Sequence, residues 1–143
     1  MVVKFSDVAV GDELPTRTFP VRRLDLMKYA GASGDYNPIH WNERFAKEVG
    51  LPDVIAHGMF TMAEAVRVVT DWCGDPGMLV EYGVRFTKPL VVADGLREED
   101  GARLTVTGKV TAVLDDNVVR IDLTARSGDD KVLGLARAFV RLP

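Results

Sequence analysis

The chain holds two histidines, and each stands in a small and unusual sequence setting. His40 closes the run Ser33-Gly34-Asp35-Tyr36-Asn37-Pro38-Ile39-His40, and His57 stands in Ile55-Ala56-His57-Gly58-Met59. Asp35 and His40 lie five residues apart across a loop tightened by Gly34 and Pro38. Such a loop can fold back and set a carboxylate and an imidazole around one water. Adding water across a C=C bond conjugated to a carbonyl needs one group to take a proton from water and one to deliver a proton to the α-carbon. An Asp/His pair supplies both, and runs the reverse elimination with its protonation states exchanged. Imidazole suits the task because its pKa lies near operating pH.

The same reaction needs a donor for the enolate oxygen that develops on the carbonyl. Gly58 falls at the predicted start of a helix, where backbone N–H groups lack partners and the dipole is positive. One such donor is worth ~2.7–4 kcal/mol of barrier in a measured protease case. By residue type alone the plainer reading is a turn before a helix cap, with His40 a hydrogen-bonded loop histidine and His57 a cap or buttress. Asp35, His40 and His57 also make a two-His-one-carboxylate set that could take a metal.

The elements that must position these residues divide into a helical first half and a strand-rich second half, the order of an α+β domain. Residues 2–20 read as an extended opening segment with a turn at Val10-Gly11-Asp12. Leu24, Met27 and Ala30, with Tyr29 beside them, predict a short amphipathic helix that stops at Gly31-Ala32-Ser33-Gly34. Asn42 is placed to cap a second helix over 43–49, with Gly50 as its stop. From His57 to Gly74 the apolar residues cover most of a helix circumference, and Glu64, Arg67 and Asp71 form one narrow stripe. A helix of that kind is expected to be buried. Residues 79–89, 102–114, 118–126 and 131–142 read as strands. In the second of these Leu104, Val106, Val110, Ala112 and Leu114 share a face. Gly134, Ala136 and Ala138 would let the last strand approach a helix closely. Short connections favour an antiparallel sheet, here curved around one buried helix.

Composition narrows the function classes. The 143 residues fit one domain, and a formal charge of −3 gives no nucleic-acid footprint. No apolar stretch approaches the ~20 residues needed to span a bilayer, and no secretory leader is visible. Cys73 is the lone cysteine, so no internal disulfide and no Cys-based zinc site is expected, and a cytoplasmic location follows by default. Cys73 itself reads as a core residue, and Arg97-Glu98-Glu99-Asp100 as a solvated turn. Arg22, Arg23, Lys28, Arg67, Arg85 and Lys88 are either ordinary surface charges or contacts for a phosphate or an acidic carrier.

With these residues in view, the sequence resembles the MaoC-like, or (R)-specific enoyl hydratase, family. The family's hydratase motif reads here as Tyr29-Ala30-Gly31-Ala32-Ser33-Gly34-Asp35-Tyr36-Asn37-Pro38-Ile39-His40, followed by Ile55-Ala56-His57-Gly58. Phe5-Ser6, Val10-Gly11-Asp12, Asp75-Pro76-Gly77 and Tyr82-Gly83-Val84-Arg85-Phe86-Thr87 are similar to the HadB-type catalytic subunit of (3R)-hydroxyacyl-ACP dehydratases. The resemblance implies a single hot-dog domain over residues 1–143, an antiparallel sheet wrapped around a long central helix. It implies Asp35 and His40 as the catalytic pair, Asn37 as a loop-shaping hydrogen-bonder and Gly58 as the thioester-oxygen donor. His57, beside Gly58, joins the substrate-site residues. It further implies an acyl-CoA or acyl-carrier-protein thioester as substrate, no metal or other cofactor, and a homodimer or a heterodimer with a related hot-dog subunit. A hot-dog thioesterase and a non-catalytic acyl-binding partner subunit are the rival expectations.

Overall fold

Five strands form one antiparallel sheet: β1 (Glu13–Val21), β2 (Leu79–Phe86), β3 (Ala102–Val113), β4 (Val118–Ser127) and β5 (Asp130–Arg141), in the order β1-β3-β4-β5-β2. The computed structural model describes residues 2–143, and Met1 lies outside them. β3, β4 and β5 are successive neighbours because their connections are tight. Asp116 and Asn117 take φ of 58° and 57° between β3 and β4, and Gly128 takes 57° between β4 and β5. Asp, Asn and Gly are the residues that tolerate this left-handed backbone. β2 comes from the middle of the chain and closes one edge against β5, while β1 closes the other against β3. The extended opening segment is thus a true edge strand from Glu13 onward, and an edge is where the Pro20 of this strand is tolerated.

Alternation builds the core. Ala102, Leu104, Val106 and Val110 of β3 are buried together with Val119, Ile121, Leu123 and Ala125 of β4. The predicted apolar face of β3 is followed as far as Val110. A register shift between Val110 and Ala112 then breaks the alternation, and Leu114, beyond the strand end, is exposed. Gly134, Ala136 and Ala138 of β5 are buried as expected. The close approach at Gly134 is to the chain after β2, however, since a Cβ there would stand 2.7 Å from Thr87 Cγ2. Leu104 is fully buried at the centre of the sheet. Leu104→Ala is expected to lower stability by about 2–5 kcal/mol. A urea titration checks this: the midpoint should fall while the slope stays unchanged.

The helices are α1 (Arg23–Ser33), α2 (Glu43–Glu48) and α3 (Gly58–Cys73). α1 departs from its predicted stripe. It buries Leu26 and Ala30, one turn apart, and leaves Leu24 and Met27 exposed. It also runs through Gly31, Ala32 and Ser33, ending at Gly34, whose φ of 76° supplies the left-handed stop. An interior glycine costs a helix only about 1 kcal/mol, so Gly31 does not end it. Asn42 caps α2 as expected, its Oδ1 accepting from Phe45 N–H at 3.1 Å.

α3 lies on the sheet with Thr61, Ala65, Val68, Val69 and Cys73 buried. The expectation of burial all round is not met, since Met59 and Ala63 are exposed and Met62 and Val66 half-buried. One sheet can cover only one side of a cylinder. The exposed charged run after Arg97 forms a 3-10 turn over Glu98–Asp100, as its composition indicated. No helix among the described residues is long and apolar enough to cross a membrane.

Candidate active site

The loop between α1 and α2 is folded by its own polar atoms. Ser33 Oγ accepts from Asp35 N–H at 3.2 Å, and Asp35 Oδ1 accepts from Asn37 N–H at 3.2 Å. Asn37 Oδ1 accepts in turn from Ile39 N–H at 3.2 Å and caps a 3-10 turn over Pro38–His40. Trp41 Nε1–H donates to the Tyr36 carbonyl at 2.9 Å. Each bond spans a few residues, which is the local geometry Asp, Asn and Ser favour. The outcome for chemistry is a division of labour within one carboxylate. Oδ1 of Asp35 is held by backbone, and Oδ2 faces His40.

A second segment, 53–57, carries the other half of the site and has no regular structure of its own. Ile55 N–H donates to the Ile39 carbonyl at 3.1 Å, Ala56 N–H to Leu90 at 2.9 Å, and Val92 N–H to the Val54 carbonyl at 2.9 Å. Arg23 pins it further. Its Nε–H donates to the Val92 carbonyl at 2.6 Å, and its guanidinium reaches Asp53 at 2.9 Å and Glu43 at 3.5 Å. Among the basic residues considered as carrier contacts, Arg23 is therefore occupied in holding the fold. Arg67 pairs with Glu64 at 2.9 Å, and Lys88 with Asp130 at 2.7 Å.

His40 Nδ1 lies 2.7 Å from the Ile55 carbonyl. A carbonyl only accepts, so Nδ1 carries the proton and Nε2 presents its lone pair. That Nε2 faces Asp35 Oδ2 across 3.9 Å. The gap is too long for a hydrogen bond and leaves room for one oxygen about 2.8 Å from each atom to bridge the pair. His40 is buried, while the Asp35 side chain is half exposed. Burial pulls the His40 pKa below its ordinary 6.5; the Ile55 carbonyl opposes this, His57 reinforces it, and the Asp35 carboxylate opposes it more weakly. A lowered value keeps His40 neutral, and so able to accept a proton, at neutral pH.

His57 stands at the N-cap position of α3 without a side-chain capping bond and is 1% exposed. Its Nε2–H donates to the Asp35 carbonyl at 3.0 Å, and its ring stacks on that of His40 with centroids 3.8 Å apart and planes 22° apart. Tyr29 packs against it at 4.7 Å. Asp35, His40 and His57 thus converge, with one potential ligand atom from each within 4.8 Å of the others. The stacking argues against a shared metal. An imidazole binds a metal in its ring plane at about 2 Å, and two rings lying face to face cannot both aim a lone pair at one ion.

Gly58 follows as the first residue of α3. The first intrahelical bond runs from Thr61 N–H to the His57 carbonyl, so the N–H groups of Gly58, Met59 and Phe60 precede it without helical acceptors. A pocket of about 390 Å³ opens in front of Gly58 and His40, with Thr61, Phe86, Lys88 and Leu133 among its walls. Asp35, Asn37 and His57 are not among its walls; Asp35 and His57 adjoin it through their contacts with His40. Two participants were given no role by the sequence, Phe86 although it lies in the Tyr82–Thr87 stretch of the family resemblance. Thr61 is the buried hydroxyl of α3, one turn on from Gly58, and its being the polar residue on an apolar face was the available signal. The Phe86 ring lies over Gly58, where an added Cβ would meet it at 3.0 Å. The contact joins β2 to α3 and is invisible in sequence.

Residues 6–120 match the family described as a MaoC like domain. The chain belongs to the MaoC-like family. The family's fold is the hot-dog fold, and the sheet and helix described above are its parts. A MaoC-like dehydratase of known structure superposes with a TM-score of 0.92 at 41% identity, covering 99% of this chain and 43% of that one. R-hydratase PhaJ1 from Pseudomonas aeruginosa superposes with a TM-score of 0.82 at 26% identity, over 99% of this chain and 86% of that one. The 3-hydroxyacyl-thioester dehydratase X of Mycobacterium tuberculosis is 40% identical over 78 residues, which are 54% of this chain and 27% of that protein. This MaoC-like chain therefore spans about a quarter of that relative and less than half of the dehydratase of known structure.

Proposed function

We propose that this chain is a hydro-lyase that interconverts a (3R)-hydroxyacyl thioester and its 2-enoyl thioester. The observation that carries the reading is the 3.9 Å gap between Asp35 Oδ2 and His40 Nε2, beside a pocket headed by the Gly58 N–H. The thioester oxygen takes the Gly58 N–H, and the acyl chain lies along the apolar wall of α3. A water in the Asp35/His40 gap gives up a proton to the pair as its oxygen bonds to the β-carbon. The pair returns one proton to the α-carbon, so the sum is one water added to one C=C bond. Dehydration is the same path reversed. Asn37 shapes the loop. The family resemblance of the motif, together with relatives named as a 3-hydroxyacyl-thioester dehydratase and an R-hydratase, supports this reaction and the (R) product.

The proposal extends to one hot-dog domain acting on CoA or acyl-carrier-protein thioesters in the cytoplasm, as a homodimer or with a related hot-dog subunit. Support for a second subunit comes from the open outer edge of β2 and the exposed Val80, Phe86 and Met59 around it and on α3. Paired edges bury such surfaces.

The test is hydration of trans-2-enoyl-CoAs of graded chain length by the purified chain, with chiral analysis of the product. Formation of (3R)-hydroxyacyl-CoA is expected. Free CoA without hydration would make the chain a thioesterase. Turnover only after adding a second, catalytically complete hot-dog chain would make it a binding subunit.

A further inference from the structure

We propose that His57 is a positioning residue that locks Asp35, His40 and the head of α3 into one body. The inference rests on the acid–base reading above and adds a residue that never touches substrate. His57 is closed off from the pocket at 1% exposure, so contact with a thioester is denied to it. Three of its surfaces are nonetheless committed. Its Nε2–H holds the Asp35 carbonyl, its ring face lies on His40, and its backbone carbonyl receives the first hydrogen bond of α3. The carboxylate and the imidazole come from the loop between α1 and α2 and the Gly58 N–H from the head of α3, and His57 touches both. A shift of one shifts the others, and a misplacement of 1 Å costs about a hundredfold in rate.

The remaining atom explains why this residue is an imidazole. Nδ1 is buried with no hydrogen-bond partner among the described residues. A proton there would be a buried donor without an acceptor, so the ring is held with its proton on Nε2. The titratable groups that face it are Tyr29 from α1, Asp35 from the loop and His40 from the 3-10 turn.

Two substitutions separate its roles. His57→Gln can keep an N–H donor without a ring, and His57→Phe keeps a ring without a donor. In His57→Phe, kcat for hydration is expected to fall roughly ten- to a hundredfold with KM little changed, and His57→Gln to recover part of the loss. With one histidine left, the imidazole NMR signal of either variant belongs to His40, and its titration midpoint should move up, carrying the acid limb of kcat with it. A role in stability alone would lower the melting temperature and leave kcat per folded molecule and this midpoint unchanged. That result would overturn the inference. Should the variants not fold, nitrogen-15 spectra of the unaltered protein decide: an Nε2-protonated His57 throughout the His40 titration is expected, and an Nδ1-protonated one refutes the proposal. Loss of hydratase activity in the unaltered chain would sink the acid–base reading itself, whereas the NMR outcomes would still speak for or against the clamp.

Discussion

Asp35→Asn and His40→Gln are each expected to lower turnover by about 10²–10⁴-fold. Asparagine keeps a carbonyl oxygen where Oδ1 accepts from Asn37 N–H, so the loop retains its local fold. What changes is the second arm. An NH2 group replaces the oxygen that faces His40 Nε2, and a lone pair becomes a donor. Asp35 is half exposed, and a surface substitution of this kind alters stability by about 0.5 kcal/mol or less. At position 40, glutamine can still donate toward the Ile55 carbonyl but offers no basic nitrogen to the gap. The double variant should be no slower than the worse single one, because two groups serving one proton path act as a unit. Steady-state hydration rates measured beside circular dichroism check all three. Rates within tenfold of the unaltered chain from either single variant, with the fold intact, would remove the pair from the mechanism.

Removal of the oxyanion donor is the second large effect, and the helix start permits a clean version of it. Gly58→Pro deletes the N–H at the first position of α3, where proline is favoured because that N–H has no helical acceptor. The residue before a proline must be extended, and His57 already has φ −57° and ψ 134°. The added Cβ meets the Phe86 ring at 3.0 Å, the far end of a side chain that can shift by the few tenths of an ångström required. Gly58→Ala brings the same Cβ but keeps the N–H, so it serves as the control for crowding. The proline variant should fall about 10²–10³-fold below the alanine variant in kcat. Equal rates in the two would show that the N–H bears no developing charge.

Much of the fold could be read from residue types because its signals are local. Strand alternation in β3 and the caps at Asn42 and Gly34 depend on neighbours within a turn or a pleat. The misreadings have long-range causes. Leu24 and Met27 of α1 look like a buried stripe, but which face meets the core was decided by where the sheet lies. α3 reads as buried all round, and a single sheet covers one side of it. Asp35, Asn37 and His40 were legible as a loop that folds on itself. The Ile55 carbonyl that fixes the tautomer of His40 was not, because a main-chain oxygen has no residue type. Nor was the stacking of His57 on His40, which depends on two segments that meet only after α3 docks.

Arg23 gives the molecule two kinds of cohesion. The sheet is held by interlocking aliphatic side chains, which respond to temperature and denaturant. The segments that carry Asp35, His40 and His57 are braced, beside their own hydrogen bonds, by one guanidinium shared among Asp53, Glu43 and the Val92 carbonyl. Protons and ions act on the second kind of bond far more than on the first. Ionic strength and acidity are thereby dials for the workshop, and heat for the building that houses it.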